Sequence, residues 1–430
     1  MQKTLQYILG LMVLAWLLGA CASDDDGTLS SADAITFDVQ VVQPATRAGA
    51  TGSIDYSVLA RSTYGFGVFA YGVSAGDWIN KPVTYNGSES DPVGQLEPVH
   101  LHSANWTYGT SVNWGAQTIS FLAYAPYVAT GSGSTGITDV AGTSVSDTKV
   151  TYAIAASPDQ GVDLLWGVRE TTKQPWLSTT KATTGGNVTF TFHHALTAIG
   201  FHVQAMIDKT NDTGDFGDKS DVAGVLGTDY KLTIKQLALN GDFYENAKLN
   251  LNNLSAGVPN WGDYGTKSNQ TLTVGNVFLN AAFKHPDTVT PTSASIAQTI
   301  MDGSSTGVTQ AAEQQVMIPH ATTGAEQCLF VIPNSSAQNY TLTVDWCVSR
   351  NNGGVYTAED HTSVINITDW VLSPETKYYI NLVFGLKSIQ FSVTATDWTD
   401  TPVPFSVTLD TGTSASESLV KGVRKSDMSE

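Results

Sequence analysis

The sequence predicts an all-β chain built from two tandem β-sandwiches, and three observations lead there. Apolar residues recur with period two in many short runs. No stretch keeps a helical 3.6-residue period over three turns. The runs fall into two sets, about eight before Asn240-Gly241 and about seven after, each sufficient for one sandwich. The composition fits: of 430 residues, 41% are hydrophobic and 10% aromatic, enough for packed cores. Only 14% are charged, well below the usual ~25%, so Thr, Ser, Asn, Gln and Gly must make most of the surface. The formal net charge is −18, with 21 Lys and Arg against 39 acids. That balance excludes nucleic acid as a partner and gives no attraction to anionic membrane surfaces. Three Cys exclude a disulfide-built scaffold and any multi-Cys zinc or iron–sulfur site.

The N-terminus reads as a targeting segment. Lys3 is followed by an apolar run from Leu5 to Leu18. The run is short of the ~20 residues of a spanning helix and suits a secretory signal. It closes on Leu18-Gly19-Ala20-Cys21, which resembles a bacterial lipobox. Residues 1–20 are then a lipoprotein signal peptide, and the Cys21 thiol is the nucleophile that accepts the lipid, palmitate included. Asp24-Asp25-Asp26 comes directly after and resembles the acidic export signal of Bacteroidetes lipoproteins. Such a chain is anchored rather than spanning.

The strands can be placed in order. Ile35, Phe37, Val39 and Val41 alternate with polar residues. Next come Tyr64–Val73, the aromatic and β-branched segment Gln117–Tyr127, Val150–Ala155, Asp163–Val168, Val188–Phe192, Ile199–Val203 and Tyr230–Leu239. The second set is Leu249–Leu251, Leu272–Val274, Val316–Ile318, Cys328–Ile332, Tyr340–Val348, Tyr378–Phe384 and Ile389–Val393. Asn351-Asn352-Gly353-Gly354 is a tight-turn signal, because Asn and Gly tolerate positive φ. The domain boundary is placed near residue 245, giving domains 48–245 and 246–402 with a tail at 403–430. Thr130–Gly136 and Asn211–Asp221 read as loops. From Thr411 the tail is poor in apolar residues, the composition of a disordered segment.

Patterns that carry chemistry are sparse. Gly131-Ser132-Gly133-Ser134-Thr135-Gly136 matches GxGxxG, but no helix comes after it to cradle a phosphate. His100 and His102 share a strand face without a third ligand and read as a solvent-facing pair. His193-His194 is explained by packing on opposite faces of a strand. Asp212, Asp215, Asp218 and Asp221 recur every third residue, whereas an EF-hand needs a spacing of two and a terminal Glu. No metal, cofactor or catalytic residue is assigned, and no enzyme activity is expected. The Trp and Tyr residues suit either sandwich cores or a sugar-stacking platform. Cys328 and Cys347 flank a segment that, as a hairpin centred near Ala337–Gln338, would set them opposite each other. A one-residue shift of register would put them on different faces, so the disulfide stays open.

Taken together, the lipobox, Thr46-Arg47-Ala48, Phe66-Gly67-Val68-Phe69-Ala70-Tyr71, Phe121-Leu122-Ala123-Tyr124-Ala125-Pro126, Asp163-Leu164-Leu165, Phe190–Leu196, Tyr378-Tyr379-Ile380 and Asp397-Trp398 resemble the fimbrillin family of Bacteroidetes, the subunits of type V pili. The resemblance implies two transthyretin-like sandwiches, and export to the cell surface as an outer-membrane lipoprotein anchored through Cys21. It also implies cleavage by an Arg-specific protease between Arg47 and Ala48. Residues 21–47 then form a lipidated propeptide carrying the first strand, Ile35 to Val41. The groove left by that strand would accept one from another subunit of the same or a different kind, building an adhesive fimbrium. Phe405, Val407 and Leu409 alternate near the C-terminus as a candidate donor strand, although the tail from Thr411 extends past the family's usual end. The competing reading is a monomeric, lipid-anchored glycan-binding module, which coplanar exposed Trp residues would favour. In that case Arg47 is an exposed linker residue.

Overall fold

A computed structural model of the chain describes residues 33–42, 53–54, 56–60, 65–86, 106–133, 136–155, 160–205, 230–254, 257–274, 277–281, 297–302, 307–311, 316–317, 328–352, 355–384 and 389–397. The protein is nearly all β. The strands of the first half are β1 (Thr36–Val41), β2 (Phe66–Tyr71), β3 (Trp78–Tyr85), β4 (Trp106–Thr107), β5 (Ile119–Ala125), β6 (Ile137–Ala141), β7 (Lys149–Ala153), β8 (Leu165–Val168), β9 (Trp176–Thr179), β10 (Asn187–His194) and β11 (Thr197–Ala205). Those of the second half are β12 (Tyr230–Tyr244), β13 (Asn246–Asn250), β14 (Asn260–Gly262), β15 (Lys267–Val274), β16 (Val277–Ala281), β17 (Ala297–Asp302), β18 (Gly307–Ala311), β19 (Val316–Met317), β20 (Cys328–Val331), β21 (Asn334–Asn352), β22 (Val355–Leu372), β23 (Thr376–Phe384) and β24 (Ile389–Asp397). Among the described residues, two single-turn helices, α1 (Tyr56–Leu59) and α2 (Lys181–Thr184), interrupt them.

Four sheets result. An eight-stranded sheet runs β1-β10-β8-β5-β2-β3-β4, with β9 also on β5. A four-stranded sheet runs β14-β13-β7-β6. A five-stranded sheet runs β19-β11-β23-β24, with β20 on β11, and a seven-stranded sheet runs β18-β17-β16-β12-β21-β22, with β15 on β12. Alternation sorts the side chains between cores. Along β2, Val68 and Ala70 join one cluster, and Phe69 and Tyr71 join another. Along β5, Phe121 and Ala123 part from Leu122 and Tyr124 in the same way. At β2 and β5 both faces of the sheet are therefore buried, which is why these strands read as near-continuous apolar runs. A third core lies between the five- and seven-stranded sheets. Phe201, Ile380 and Leu382 meet Leu239, Leu342, Trp346 and Ile367 there.

Strand pairing crosses the boundary expected near residue 245. β13, beyond that point, pairs antiparallel with β7 at Leu249↔Val150. β11, before it, pairs parallel with β23 from Thr197↔Thr376 to Ala205↔Phe384. Asn240-Gly241 lies inside β12. Gly241 is required there because a Cβ would strike the Tyr340 ring on the neighbouring strand.

The hairpin proposed to join Cys328 to Cys347 is corrected. Cys328 lies on β20 opposite Gly200 of β11. Cys347 lies on β21 opposite Thr233 of β12 and Asp360 of β22. The segment between them turns from one sheet into another, so the sulfurs are in different layers, and both residues are buried thiols with no disulfide between them.

His193 and His194 take opposite faces at the end of β10. His194 Nδ1 lies 2.6 Å from Asp163 Oδ2, and the same oxygen accepts from the Ile54 amide at 3.2 Å. His193 faces Glu170 and Glu375, at 3.5 and 3.7 Å. Glu375 also accepts from Trp166 Nε1 at 3.3 Å and lies 3.7 Å from Lys173. This group ties the eight-stranded sheet to the start of β23. Burial, helped by Lys173 and opposed by Glu170, pulls His193 down to about 4. Burial pulls His202 down to about 4 as well, against its bond to Asn381. Both values lie below the unfolded value of about 6.5, so the unfolded chain takes these protons first. The stability they contribute is complete above about pH 6.5 and is lost as pH falls toward 4, by up to about 1.4 kcal/mol per pH unit for each histidine. Denaturant titrations at pH 7 and pH 5 should show this loss, and His202→Gln should flatten it.

Candidate functional site

The first strand and its seat are the part of the molecule that the predicted function addresses. β1 lies at one end of the eight-stranded sheet and pairs parallel with β10 in unbroken register, Thr36↔Asn187 through Val41↔Phe192. The Val42 amide extends the ladder to Phe192 O at 2.9 Å. On its other side, the described residues engage the start of the strand. The Ile35 amide donates to Val112 O at 2.8 Å, and the Trp114 amide donates to Asp33 O at 2.8 Å. Tyr108 Oη donates to Ile35 O at 2.7 Å. The segment after β4 thus comes round to meet β1.

The apolar face of β1 fills the centre of a core. Ile35, Phe37 and Val39 are fully buried, and Val41 packs partly buried against them. The Phe37 ring is surrounded by five others: Tyr108 at 5.7 Å, Phe190 at 5.9 Å, Phe121 at 6.0 Å, Phe66 at 6.1 Å and Trp78 at 6.3 Å. All but Phe190 meet it edge-on, the favoured arrangement for ring quadrupoles. Lys81 Nζ lies over the rings of Trp78 and Tyr108, at 4.9 and 5.3 Å. The polar face is tied as well. Asn187 donates to the buried Asp38 carboxylate, and Thr36 Oγ1 donates to Gly186 O at 3.3 Å. Lys181 pairs with Asp33, an exposed contact that contributes little. Beyond β1, Ile54 and Leu59 are buried in the same cluster. The chain is therefore anchored on both sides of the 43–52 segment.

Of the sequence-predicted residues, Ile35, Phe37, Val39 and Val41 come together here. Cys21, Arg47, Ala48, Phe405, Val407, Leu409, His100, His102 and Asp212, Asp215, Asp218 and Asp221 lie outside the described residues. Gly131, Ser132, Gly133 and Gly136 lie between β5 and β6, with a strand rather than a helix next in the chain. Among the described residues, no group of three or more His, Cys, Asp or Glu could hold a metal. Sequence reasoning missed Trp78, Tyr108 and Val112, which complete the seat. Trp78 opens a strand containing Pro82 and the positive-φ residue Asn80, which hide its alternation. Among the described tryptophans none is exposed, and Trp78, Trp106, Trp114, Trp166, Trp346 and Trp370 are buried.

A model of the fimbrillin-like family matches residues 62–398. Similar solved structures include a fimbrial protein from Bacteroides vulgatus, 16% identical, with a TM-score of 0.49 over 85% of this chain and 99% of that one. A candidate cell adhesion protein from Bacteroides uniformis is 13% identical, with a TM-score of 0.39 over 86% of this chain and 100% of that one. No curated protein matches the chain.

Removing the Phe37 ring leaves a cavity lined by side chains of several strands that cannot all close on it. Phe37→Ala should cost about 3–5 kcal/mol, and Phe37→Leu clearly less. Urea unfolding read by Trp fluorescence gives both values.

Proposed function

The chain belongs to the fimbrillin-like family, and from that premise we propose that it is a subunit of cell-surface fimbriae that supports adhesion and has no catalytic role. In this reading it comprises two transthyretin-like sandwiches and reaches the outer membrane as a lipoprotein anchored through Cys21. An Arg-specific protease cuts between Arg47 and Ala48. β1 leaves, and a strand from another subunit of the same or a different kind takes its seat. The alternating Phe405, Val407 and Leu409 would supply such a strand.

The observation that carries the proposal is the position of β1. It is a sheet-end strand whose apolar face fills the middle of a core, and it lies a few residues before Arg47. Without it, β10 would present a row of unpaired backbone groups above an apolar trench, a template for strand addition. Three buried side chains at roughly 1.5–3 kcal/mol each hold β1 in place, so loss without a cut would be rare. The cut would not loosen the chain on its C-terminal side, because Ile54 stays bonded to Asp163 and buried. Coplanar exposed Trp residues would have favoured the competing glycan-binding module, and among the described tryptophans none is exposed.

Arg47→Ala should leave a folded, monomeric precursor at the cell surface. Wild-type precursor treated with an Arg-specific protease should begin at Ala48 and form oligomers on size-exclusion chromatography. Entry of the Arg47→Ala chain into filaments at the wild-type level would sink the proposal.

A further inference from the structure

The seat of β1 holds two buried polar atoms that β1 does not serve. On the face of the β1–β10 pair turned away from Phe37, Asn187 stands opposite Thr36 and Thr191 stands opposite Gln40. Asn187 Nδ2 donates to the buried Asp38 carboxylate. Among the described residues, Asn187 Oδ1 and Thr191 Oγ1 are buried and make no hydrogen bond. An ionised carboxylate only accepts, so Asp38 has no proton to offer Asn187 Oδ1. A buried acceptor left without a donor costs stability. β1 therefore fills the apolar side of its seat and leaves the polar side in deficit.

The pattern of β1 recurs in the chain. Ile or Val, any residue, Phe, polar, Val, polar, apolar occurs at 35–41, 199–205, 389–395 and 403–409. The second lies in β11, which β20 and β23 hold on its two sides. The third lies in β24, paired with β23, and its Ile389, Val393 and Ala395 face the third core. The fourth, Val403-Pro404-Phe405-Ser406-Val407-Thr408-Leu409, follows β24 in sequence and lies outside the described residues. Set on β1 with Phe405 at the place of Phe37, it puts Val407 at Val39 and Leu409 at Val41. Ser406 then replaces Asp38, and Thr408 replaces Gln40. Pro404 falls at Thr36, the first residue of β1, a position where a sheet tolerates proline.

We propose that Asn187 and Thr191 select the strand that replaces β1, by favouring hydroxyl side chains at the places of Asp38 and Gln40, and that residues 403–409 of a second copy of this chain enter in the register that puts Phe405 at the place of Phe37. This rests on the strand-exchange reading of the seat. A hydroxyl both accepts and donates, so Ser406 can take the proton of Asn187 Nδ2 and return its own to Oδ1. Thr408 can bond to Thr191 Oγ1, the hydroxyl pairing that neighbouring strands use. The incoming strand matches β1 on the apolar side and exceeds it on the polar side. β1 is thus the weaker occupant of its own seat, and the exchange runs toward the subunit–subunit pair.

The full chain, purified in detergent and cut with an Arg-specific protease, should be mixed with a fluorescent synthetic peptide of residues 401–412. Uptake is read by anisotropy, and departure of β1 by mass spectrometry of the released fragment ending at Arg47. The peptide should enter and release that fragment. Peptide Ser406→Ala should bind about fivefold more weakly, and so should Ser406→Asp, which restores the residue of β1. Peptide Phe405→Ala should bind at least a hundredfold more weakly. In chain variant Asn187→Ala, the Ser406→Ala difference should vanish. Equal uptake of the natural, Ser406→Ala and Ser406→Asp peptides, a difference that Asn187→Ala leaves in place, or uptake untouched by Phe405→Ala overturns this proposal and leaves strand exchange standing. No uptake of any peptide by the cut chain overturns the exchange reading and this proposal with it.

Discussion

The contact on which the N-terminal half is built is the insertion of the Phe37 ring among Phe66, Trp78, Tyr108, Phe121 and Phe190. These residues come from widely separated parts of the chain, and the strand that brings them together is six residues long. Protein interiors are packed to crystal-like density, so a ring at the centre of such a group fixes the spacing of everything around it. The period of a strand then places Ile35 and Val39 beside Phe37 on the same face. A register error of one residue would turn Thr36 and Asp38 into this core, which the apolar lining cannot accommodate. The seat therefore selects both a pattern and a register.

The two halves are joined by one nearly continuous run, β10 and β11, broken only at Ala195-Leu196. β10 pairs parallel with β1, and β11 pairs parallel with β23. Parallel partners need long connections, and here those connections pass through other sheets. The join is reinforced where the Glu375 amide donates to Leu196 O at 3.1 Å, while its carboxylate meets Trp166 and lies close to His193. Glu375 itself sits at a positive φ of 55°, a conformation that the surrounding contacts must hold. A change at this corner would be felt in both halves.

These features explain why some elements were legible in the sequence and others were not. Strands with apolar alternation, such as Ile35–Val41, Val188–Phe192 and Tyr378–Phe384, were visible because one face of each is committed to a core. β22 was not, because in Val355–Leu372 exposed Val364 and polar residues blur the period over eighteen positions. β3 was hidden by Pro82 and Asn80. The pairing of β13 with β7 joins residues about a hundred positions apart, and strand counting carries no information on such long-range pairs. The Cys328–Cys347 pairing assumed a local hairpin, whereas β20 and β21 belong to different sheets.

In the proposed assembly, the order of features along the first 54 residues matters as much as the seat itself. Cys21 comes first, then β1, then Arg47, then the Ile54 anchor. While the chain is intact, the tether holds β1 near its seat at an effective concentration of roughly millimolar, so no free strand competes well. A cut after Arg47 ends that advantage and leaves β1 held only by its own contacts. A second strand with the same alternation can then replace it, one ladder bond at a time, without emptying the seat at once. The lipid belongs to the segment that leaves. After a single cut the subunit would therefore leave its anchor only as a second strand displaces β1, so that release and strand uptake would occur together.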